Sequence, residues 1–301
     1  MYLPENAEQA GVTGPLPAVE RVERGPISAL RWGSVHGDDP PRVVFLHGGG
    51  QNAHTWDTVI LGLGLPALAI DLPGHGHSTW REDGDYGPTL NAVTIEPVLR
   101  ELAPDADLVV GMSLGGLTAL RLAVTAPDLV RRLVMVDVTP SAPERHEQMT
   151  QAQMGAVALV RGDRSFPSFE AMVDAAVAAA PHRSRESLRR GVFHNSTQLD
   201  DGTWTWRYDT FRKAHSDERS GSGVQVGGFA GLWDDVPRLR TPTTLVRGAQ
   251  SFFVDDDDAA EFARRAPGFQ RVVVVPDAGH SVQGDQPRVL VEILRSVLDP
   301  A

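Results

Sequence analysis

The hydrophobic positions of this chain follow two alternating patterns over its first half. Short, nearly continuous apolar runs of strand length alternate with segments whose apolar residues recur at helical spacing. Continuous apolar strands are typical of a parallel sheet that helices cover on both faces. The pattern therefore predicts an α/β fold, whose central strands comprise residues 42–46, 67–71, 107–112 and 133–137.

The same two periodicities predict the other elements of this sheet domain. Residues 19–23 and 27–33 are typical of an antiparallel pair that turns at Gly25-Pro26. The alternation resumes late in the chain, where strands are predicted at 243–247 and 271–275. The predicted helices that accompany all these strands comprise residues 94–102, 114–125, 259–265 and 289–298.

Between residues 140 and 235 the alternation stops. Three helix-like stretches lie there without a convincing buried strand, at 142–160, 169–180 and 184–193. A polar, Gly/Ser-rich tract at 215–228 is typical of a mobile segment. We therefore predict a core domain of residues 19–139 and 236–301, a helical cap (lid) of residues 140–235 and an N-terminal extension of residues 1–18.

An aromatic group lies in the second half of the predicted cap. Its side chains either line an apolar acyl pocket or form the cap's own core, and we favour the core for most of them. The group consists of Trp204, Trp206, Tyr208, Phe229 and Trp233.

Composition and charge narrow the classes of function. The 301 residues carry a formal net charge of −11, which disfavours nucleic acid and anionic lipid as partners. The absence of cysteine excludes disulfides, thiolate metal sites and a cysteine nucleophile. No apolar run approaches the ~20 residues of a membrane span, and the amino terminus lacks the pattern of a signal peptide. We therefore expect a cytoplasmic protein, and the bias toward Arg, Ala, Gly and Pro indicates a bacterial source.

A candidate nucleophile stands out at Ser113. The sequence Gly111-Met112-Ser113-Leu114-Gly115 follows a predicted strand directly and opens a predicted helix. This strand, G-x-S-x-G and helix order is typical of a nucleophile elbow, where small neighbours give clearance to a strained serine. The following helix also directs its N-terminal dipole toward developing negative charge. The sequence therefore predicts Ser113 as the nucleophile.

Three further segments extend this pattern to a family. His-Gly-Gly-Gly at 47–50 and Asp-Leu-Pro-Gly-His-Gly-His-Ser at 71–78 each follow a predicted strand, and Ala-Gly-His at 278–280 follows the last one. Together with Ser113 they resemble the α/β-hydrolase family, and within it the small bacterial, mycobacterial-type carboxylesterases that carry a cap. The resemblance runs from about residue 19 to residue 301. It implies an eight-stranded, mostly parallel sheet with the cap inserted after the sixth strand.

The resemblance also implies roles for individual residues. His280 corresponds to the general base, because it follows the last strand and a glycine late in the chain. The backbone N–H groups of Gly49 and Leu114 correspond to the oxyanion hole, where two converging donors stabilise a tetrahedral intermediate. No cofactor is implied.

The acid of the triad is harder to assign. The family's usual position, in the turn after the seventh strand, holds Ser251, and a serine cannot supply charge to an imidazolium. We favour Asp137, which ends a buried strand 24 residues after Ser113, where a carboxylate needs a partner. The alternative acid is Asp255, the first of four consecutive aspartates that otherwise indicate a solvated helix start.

The two histidines at 75 and 77 raise the question of a metal, since His-x-His can chelate. No acidic cluster with ligand spacing lies nearby, and the segment is better explained as a turn that holds a strand end. We therefore predict no metal site there. Asp71 is likewise interpreted as a turn residue rather than a catalytic acid.

The resemblance thus implies a serine hydrolase that cleaves carboxylic esters of short to medium acyl chains through an acyl-enzyme. Thioesterases, lactonases and hydrolases of carbon–carbon bonds use the same triad, and the sequence leaves these alternatives open. A catalytically silent ligand-binding homologue is the non-enzyme alternative, because position 251 lacks an acid. We expect a small-molecule ester as the partner and a monomer or small homo-oligomer.

Overall fold

The central feature of the computed structural model, which describes residues 2–34, 39–147, 165–209, 229 and 231–299, is an eight-stranded sheet. The strand order is β1-β2-β4-β3-β5-β6-β9-β10. The strands are Val19–Arg24 (β1), Ile27–Trp32 (β2), Val43–Leu46 (β3), Ala67–Ile70 (β4), Leu108–Met112 (β5), Leu133–Val136 (β6), Thr243–Gly248 (β9) and Phe269–Val275 (β10).

Most of this sheet is parallel. Strand β1 pairs with β2 and β2 with β4 in antiparallel fashion, whereas all pairs from β4 through β10 are parallel. The predicted α/β fold with a mostly parallel eight-stranded sheet is confirmed. Because the parallel strands end at the same edge, the residues that follow β3, β5, β6, β9 and β10 gather there.

Helices cover both faces of the sheet and form two hydrophobic cores with it. Successive residues of a strand face opposite sides, so Val44 and Leu46 lie in one core while Val43 and Phe45 lie in the other. The principal helices of the sheet domain are Asp57–Leu63, Pro88–Leu102, Leu114–Thr125, Asp256–Arg265 and Pro287–Leu298. Helix Leu114–Thr125 is buried along most of its length, which explains its nearly uniform apolar sequence.

The N-terminal extension contains an element that the sequence patterns did not predict. Residues Leu3–Ala10 form a helix that ends at Gly11, whose φ of 76° is left-handed. Ala7 is buried in the same core as helix Asp57–Leu63. The guanidinium of Arg288 donates a hydrogen bond of 2.9 Å to the carbonyl of Gln9, which ties the end of this helix to the C-terminal helix.

The residues between β6 and β9, called the insertion below, contain short helices and a small sheet. Among the described residues of this segment, the α-helices are Ala142–Glu147, Phe169–Ala179, Arg185–Asn195 and Leu232–Asp235. No convincing buried strand was expected in this segment, and it contains a short, partly buried hairpin in which Ser196–Gln198 (β7) pairs with Trp204–Trp206 (β8). Three-residue strands are too short to give a readable alternation, and their hairpin depends on Gly202, whose φ is 84°.

Several predictions for the insertion fall on residues outside the described ranges. Of the predicted helix at 142–160, the structure describes residues 142–147, and the Gly/Ser-rich tract at 215–228 lies outside them. The division into a core and a cap stays a prediction. In the described part of the chain, no helix has both the length and the apolar character to cross a membrane.

The aromatic residues of the insertion are mostly core residues, as favoured from the sequence. Trp206 and Tyr208 are buried in a small third core with Phe166 and Met172. Trp204 packs partly buried against this third core. The two remaining members, Phe229 and Trp233, pack partly buried against the first of the two large cores instead of the insertion's own core. Tyr208 also lies against the ring of His75, so this small core is anchored to the turn after β4.

Candidate active site

Ser113 occupies a sharp turn between β5 and the helix Leu114–Thr125. Its backbone φ of 49° and ψ of −118° lie in a region that side chains other than glycine seldom adopt. The N–H of Ser113 donates to the carbonyl of Val136 at 3.1 Å, which fixes the turn to the end of β6. The strained conformation projects the partly exposed serine away from the strand.

The glycines on either side of Ser113 are required by close backbone approaches. A Cβ on Gly111 would lie 2.4 Å from the carbonyl oxygen of Gly115. A Cβ on Gly115 would in turn lie 2.3 Å from the carbonyl oxygen of Leu46, at the end of β3. The elbow is therefore packed directly against the strand that leads into the segment His-Gly-Gly-Gly at 47–50.

This segment, called the 47–50 loop below, passes beside Ser113. A Cβ on Gly48 would lie 3.3 Å from Cβ of Ser113. Among the described residues, neither the N–H of Gly49 nor that of Leu114 has a protein acceptor, whereas the N–H of Gly50 donates to Nε2 of His75 at 3.0 Å. Two unpaired backbone donors next to a serine can stabilise an oxyanion.

Two buried histidines hold the 47–50 loop in place. Nδ1 of His47 lies 2.7 Å from the carbonyl oxygen of Gly48, and its Nε2 accepts the N–H of Leu72 at 2.9 Å. Burial lowers the pKa of His47 to about 3, so the ring is neutral and can accept this hydrogen bond. Burial likewise lowers the pKa of His75, which accepts from Gly50.

Asp137 and His280 meet at the carboxyl edge of the sheet. Asp137 directly follows β6, is completely buried and has a positive φ of 53°. Its Oδ2 lies 2.7 Å from Nδ1 of His280, and its Oδ1 accepts the N–H of Gly248 at 3.0 Å. The ring of Phe253 stacks on the imidazole, with centroids 3.8 Å apart. The imidazole is thus held by a buried carboxylate on its Nδ1 side.

The two other acid positions considered from the sequence have different surroundings. The hydroxyl of Ser251 donates a hydrogen bond to Oδ2 of Asp137. Asp255 is the N-cap of helix Asp256–Arg265 and forms a capping box with Asp258. Its carboxylate also pairs with Arg145, and no hydrogen bond joins it to His280 within the described ranges.

A chain of hydrogen bonds through Gln51 connects the 47–50 loop beside Ser113 with Ser281, the residue after His280. Gly48 lies beside the serine, and its N–H donates to Oε1 of Gln51 at 3.1 Å. Nε2 of Gln51 in turn donates to Oγ of Ser281 at 3.4 Å, next to the imidazole. In the described part of the chain, the hydroxyl of Ser113 forms no hydrogen bond with His280, a common situation in the absence of substrate.

Two residues of this site, Gln51 and Phe253, were not identified from the sequence, and the contact of Ser251 with Asp137 was not predicted. Gln51 directly follows the His-Gly-Gly-Gly segment, so its position near the loop was the only local signal. Ser251 was noted for lacking a charge, not for binding Asp137. Phe253 lies in an unpatterned turn, and its contact with His280 depends on the tertiary structure.

Asp71 and His77 fulfil the structural roles that the sequence indicated for the turn after β4. Asp71 is buried and accepts hydrogen bonds from the N–H groups of Ala53 and His77, at 2.7 and 3.0 Å. It also pairs with Arg21 at 2.7 Å. The carboxylate therefore organises the turn.

One class of protein combines an α/β fold with a nucleophile elbow like that at Ser113 and a histidine like His280 at the carboxyl edge of the sheet. The Alpha/beta hydrolase family matches residues 43–293, and the chain belongs to this family. The match spans every part of the site described above.

Individual relatives are also similar over most of their length. The chain is 65% identical to the esterase Rv0045c of Mycobacterium tuberculosis over 297 residues, which cover 99% of this chain and 94% of that protein. A solved structure of that esterase, from work on its inhibition by transition metals and its structural refinement, superposes with a TM-score of 0.85 and covers 99% and 97% of the two chains. The mouse sn-1-specific diacylglycerol lipase ABHD11 is 27% identical over 86% of this chain and 81% of its own.

Proposed function

We propose that this chain hydrolyses carboxylic esters with Ser113 as the nucleophile, His280 as the general base and Asp137 as the acid that orients it. The observation that carries the proposal is the buried carboxylate of Asp137, 2.7 Å from Nδ1 of His280. A buried carboxylate at this nitrogen fixes the imidazole tautomer that can take a proton at Nε2. The high identity to a mycobacterial esterase supports the same reaction.

Acylation starts with attack of Ser113 Oγ on the ester carbonyl carbon. The proton of the hydroxyl moves to Nε2 of His280, and Asp137 stabilises the imidazolium that forms. The carbon–oxygen double bond becomes a single bond, and its oxygen takes the negative charge. When the tetrahedral intermediate collapses, the bond to the alkoxy group breaks and the imidazolium gives its proton to the leaving alcohol.

Deacylation repeats these steps with water in place of the serine. His280 removes a proton from the water as its oxygen attacks the acyl carbon, and the bond to Ser113 breaks. The carboxylic acid leaves and the serine regains its proton. The reaction is complete with the residues of this chain and needs no redox step.

The N–H groups of Gly49 and Leu114 are proposed as the donors to the oxyanion. Both lack protein acceptors among the described residues, and Gly48 packs beside the nucleophile. Removing one such donor in other enzymes costs about 10²–10³ in kcat, so their placement is a large part of the catalysis. His47 and His75 hold this loop in place, because they accept hydrogen bonds from the N–H groups of Leu72 and Gly50.

The proposed substrates are small esters with short to medium acyl chains. The cytoplasmic location and the monomeric or small homo-oligomeric state stay predictions from the sequence.

The proposal is tested by comparing the wild type with Ser113→Ala. A fluorophosphonate probe should label the wild type on Ser113, and a panel of chromogenic esters of increasing acyl length should lose all turnover in the variant. The unfolding temperature should remain near that of the wild type. Turnover in Ser113→Ala, or probe attached to another residue of an active preparation, would refute the mechanism.

A further inference from the structure

The insertion contacts the loop of the proposed general base through one buried carboxylate. Asp285 lies five residues after His280, and only 4% of its side chain is exposed. Its Oδ1 lies 3.6 Å from Nε of Arg183 and 3.2 Å from Nε2 of His182. Both of these residues belong to the insertion, in the turn that precedes helix Arg185–Asn195. Asp285 therefore joins the insertion to the loop that carries the base.

Asp285 also holds the backbone on both sides of His280. Its Oδ2 accepts the N–H of Gly279 at 3.0 Å, and its own N–H donates to the carbonyl of Ser281 at 3.0 Å. Among the described residues, neither the N–H nor the carbonyl of His280 itself forms a hydrogen bond. The backbone position of the proposed base therefore depends on the two neighbouring residues that Asp285 binds.

The side chain of Arg183 fits against the backbone of Gly284. A Cβ on Gly284 would lie 2.5 Å from Nη2 and 2.7 Å from Cζ of Arg183, so a side chain at this position would displace the guanidinium. Nε of Arg183 is buried without a hydrogen-bond partner, and within the described ranges Asp285 is the one carboxylate that pairs with it. Burial lowers the pKa of the guanidinium, and the charge of Asp285 offsets part of this effect. Each charge thus compensates the burial of the other.

We propose that Arg183 is a positioning residue for the general base and acts through Asp285. The inference rests on the proposed ester hydrolysis, in which His280 carries protons at Nε2. A buried carboxylate is costly without a compensating charge, so loss of Arg183 favours rotation of Asp285 toward water. The N–H of Gly279 then loses its acceptor, and the backbone of His280 can shift. A misplacement of about 1 Å in a reacting group costs about 10² in rate.

Two neighbouring contacts do not replace this one. The carboxylate of Asp137 holds the imidazole of His280 at Nδ1, 2.7 Å away, but it does not hold the backbone. The side chain of His182 is 60% exposed, so water screens its interaction with Asp285. Arg183 is only 25% exposed, and it is therefore the residue of the insertion on which Asp285 depends.

The first test compares the steady-state kinetics of Arg183→Gln and the wild type on one short-chain ester. We expect kcat to fall by about 10- to 100-fold with little change in KM, because the base serves acylation and deacylation alike. Arg183→Lys keeps a positive charge and should recover part of the loss. A change confined to KM, or equal kcat values in Arg183→Gln and Arg183→Lys, would overturn the proposal.

The matched control for this substitution is Arg185→Gln. Arg185 belongs to the same insertion, but it pairs with Glu170 and Asp174 rather than with Asp285. Its variant should keep the wild-type kcat. Equal losses in Arg183→Gln and Arg185→Gln would overturn the proposal.

A second variant leaves both charges in place, because removal of one partner of a buried ion pair can unfold a protein. Gly284→Ala adds the methyl group that displaces the guanidinium, and kcat should fall as in Arg183→Gln. The control is Gly191→Ala, where a Cβ meets nothing within 4 Å and kcat should stay at the wild-type value. In Arg183→Gln/Gly284→Ala the methyl group has no guanidinium to displace, so kcat should equal that of Arg183→Gln. Losses that multiply in this double variant would overturn the proposal.

A measurement without substrate separates this inference from the proposed function. The proton between Nδ1 of His280 and Asp137 is observed by NMR as a resonance far downfield of the amide protons. We expect this resonance to shift or broaden in Arg183→Gln and Gly284→Ala and to stay unchanged in both control variants. An unchanged resonance in all four proteins would overturn the proposal. If the wild type hydrolyses no ester, the proposed function fails, while the resonance still reports whether Arg183 acts on His280.

Discussion

The hydroxyl of Ser251 donates a hydrogen bond to Oδ2 of Asp137, the same oxygen that lies 2.7 Å from Nδ1 of His280. Ser251 stands where the resemblance to the family leads one to expect the acid itself. Its Oγ also accepts the N–H of Phe253 at 3.1 Å, and the phenyl ring of Phe253 stacks on His280. The serine therefore links the carboxylate to the residue that packs against the imidazole.

We expect Ser251→Ala to lower kcat by about tenfold with little change in KM. Hydrogen bonds to charged groups contribute about 1.5–3 kcal/mol, and Asp137 keeps its contacts with Gly248 and His280 in this variant. Steady-state kinetics on a short-chain ester measure the effect. Ser251→Thr keeps the hydroxyl and should recover most of the loss, so equal kinetics in the two variants would contradict a role for this hydrogen bond.

Asp137→Asn should lower kcat by about 10³–10⁴ in a folded protein, because an amide favours the wrong imidazole tautomer and supplies no charge. Asp255→Ala is the comparison. It removes an N-cap and the partner of Arg145, so it should cost about 1 kcal/mol of unfolding free energy while kcat stays near wild type. If Asp255→Ala lost most of its kcat while Asp137→Asn kept a kcat near that of the wild type, the assignment of the acid would be reversed.

We also expect that the carboxylate that holds His280 can be moved from position 137, after β6, to position 251, in the turn after β9. In the double variant Asp137→Ala/Ser251→Asp, the new carboxylate starts from a side chain that already reaches Oδ2 of Asp137, next to His280. We expect kcat above that of Asp137→Ala alone, measured on the same ester. No gain over Asp137→Ala in a folded double variant would show that position 251 cannot support the imidazole.

The free energy of unfolding should depend on His47 in mildly acidic solution. In the folded protein this ring stays neutral until the pH falls to its pKa of about 3. In the unfolded chain it takes up a proton below a pH of about 6.5, its ordinary pKa. The unfolded state then binds more protons, so stability falls as the pH falls from about 6.5 toward 3, by about 1.4 kcal/mol per pH unit from this group.

Urea unfolding at pH 7, 6 and 5 measures this slope. His47→Gln is less stable overall because it disturbs the hydrogen bond to Leu72, but its stability should change less with pH. The exposed His182→Gln should keep the wild-type slope. A slope in His47→Gln as steep as that of the wild type would show that other groups cause the acid sensitivity.

The local features of this protein could be predicted from its sequence because short-range sterics determine them. The elbow at Ser113 needs small residues two positions away on either side, and Gly111 and Gly115 satisfy that requirement within five residues. The parallel strands were recognisable for a similar reason, since a strand buried on both faces must be apolar at successive positions. The helix Leu3–Ala10 and the β7–β8 hairpin were missed because neither has a pattern long enough to identify it.

Only the tertiary structure decided which side chains meet. Asp137 and His280 are 143 residues apart, and both Asp137 and Asp255 were compatible with the sequence as partners of the histidine. The parallel register of β6 with β9, in which Val136 pairs with Val246, places Asp137 beside Gly248 and within reach of Ser251. Long-range register and the path of loops depend on the packing of the whole sheet, so no local pattern of residues encodes them.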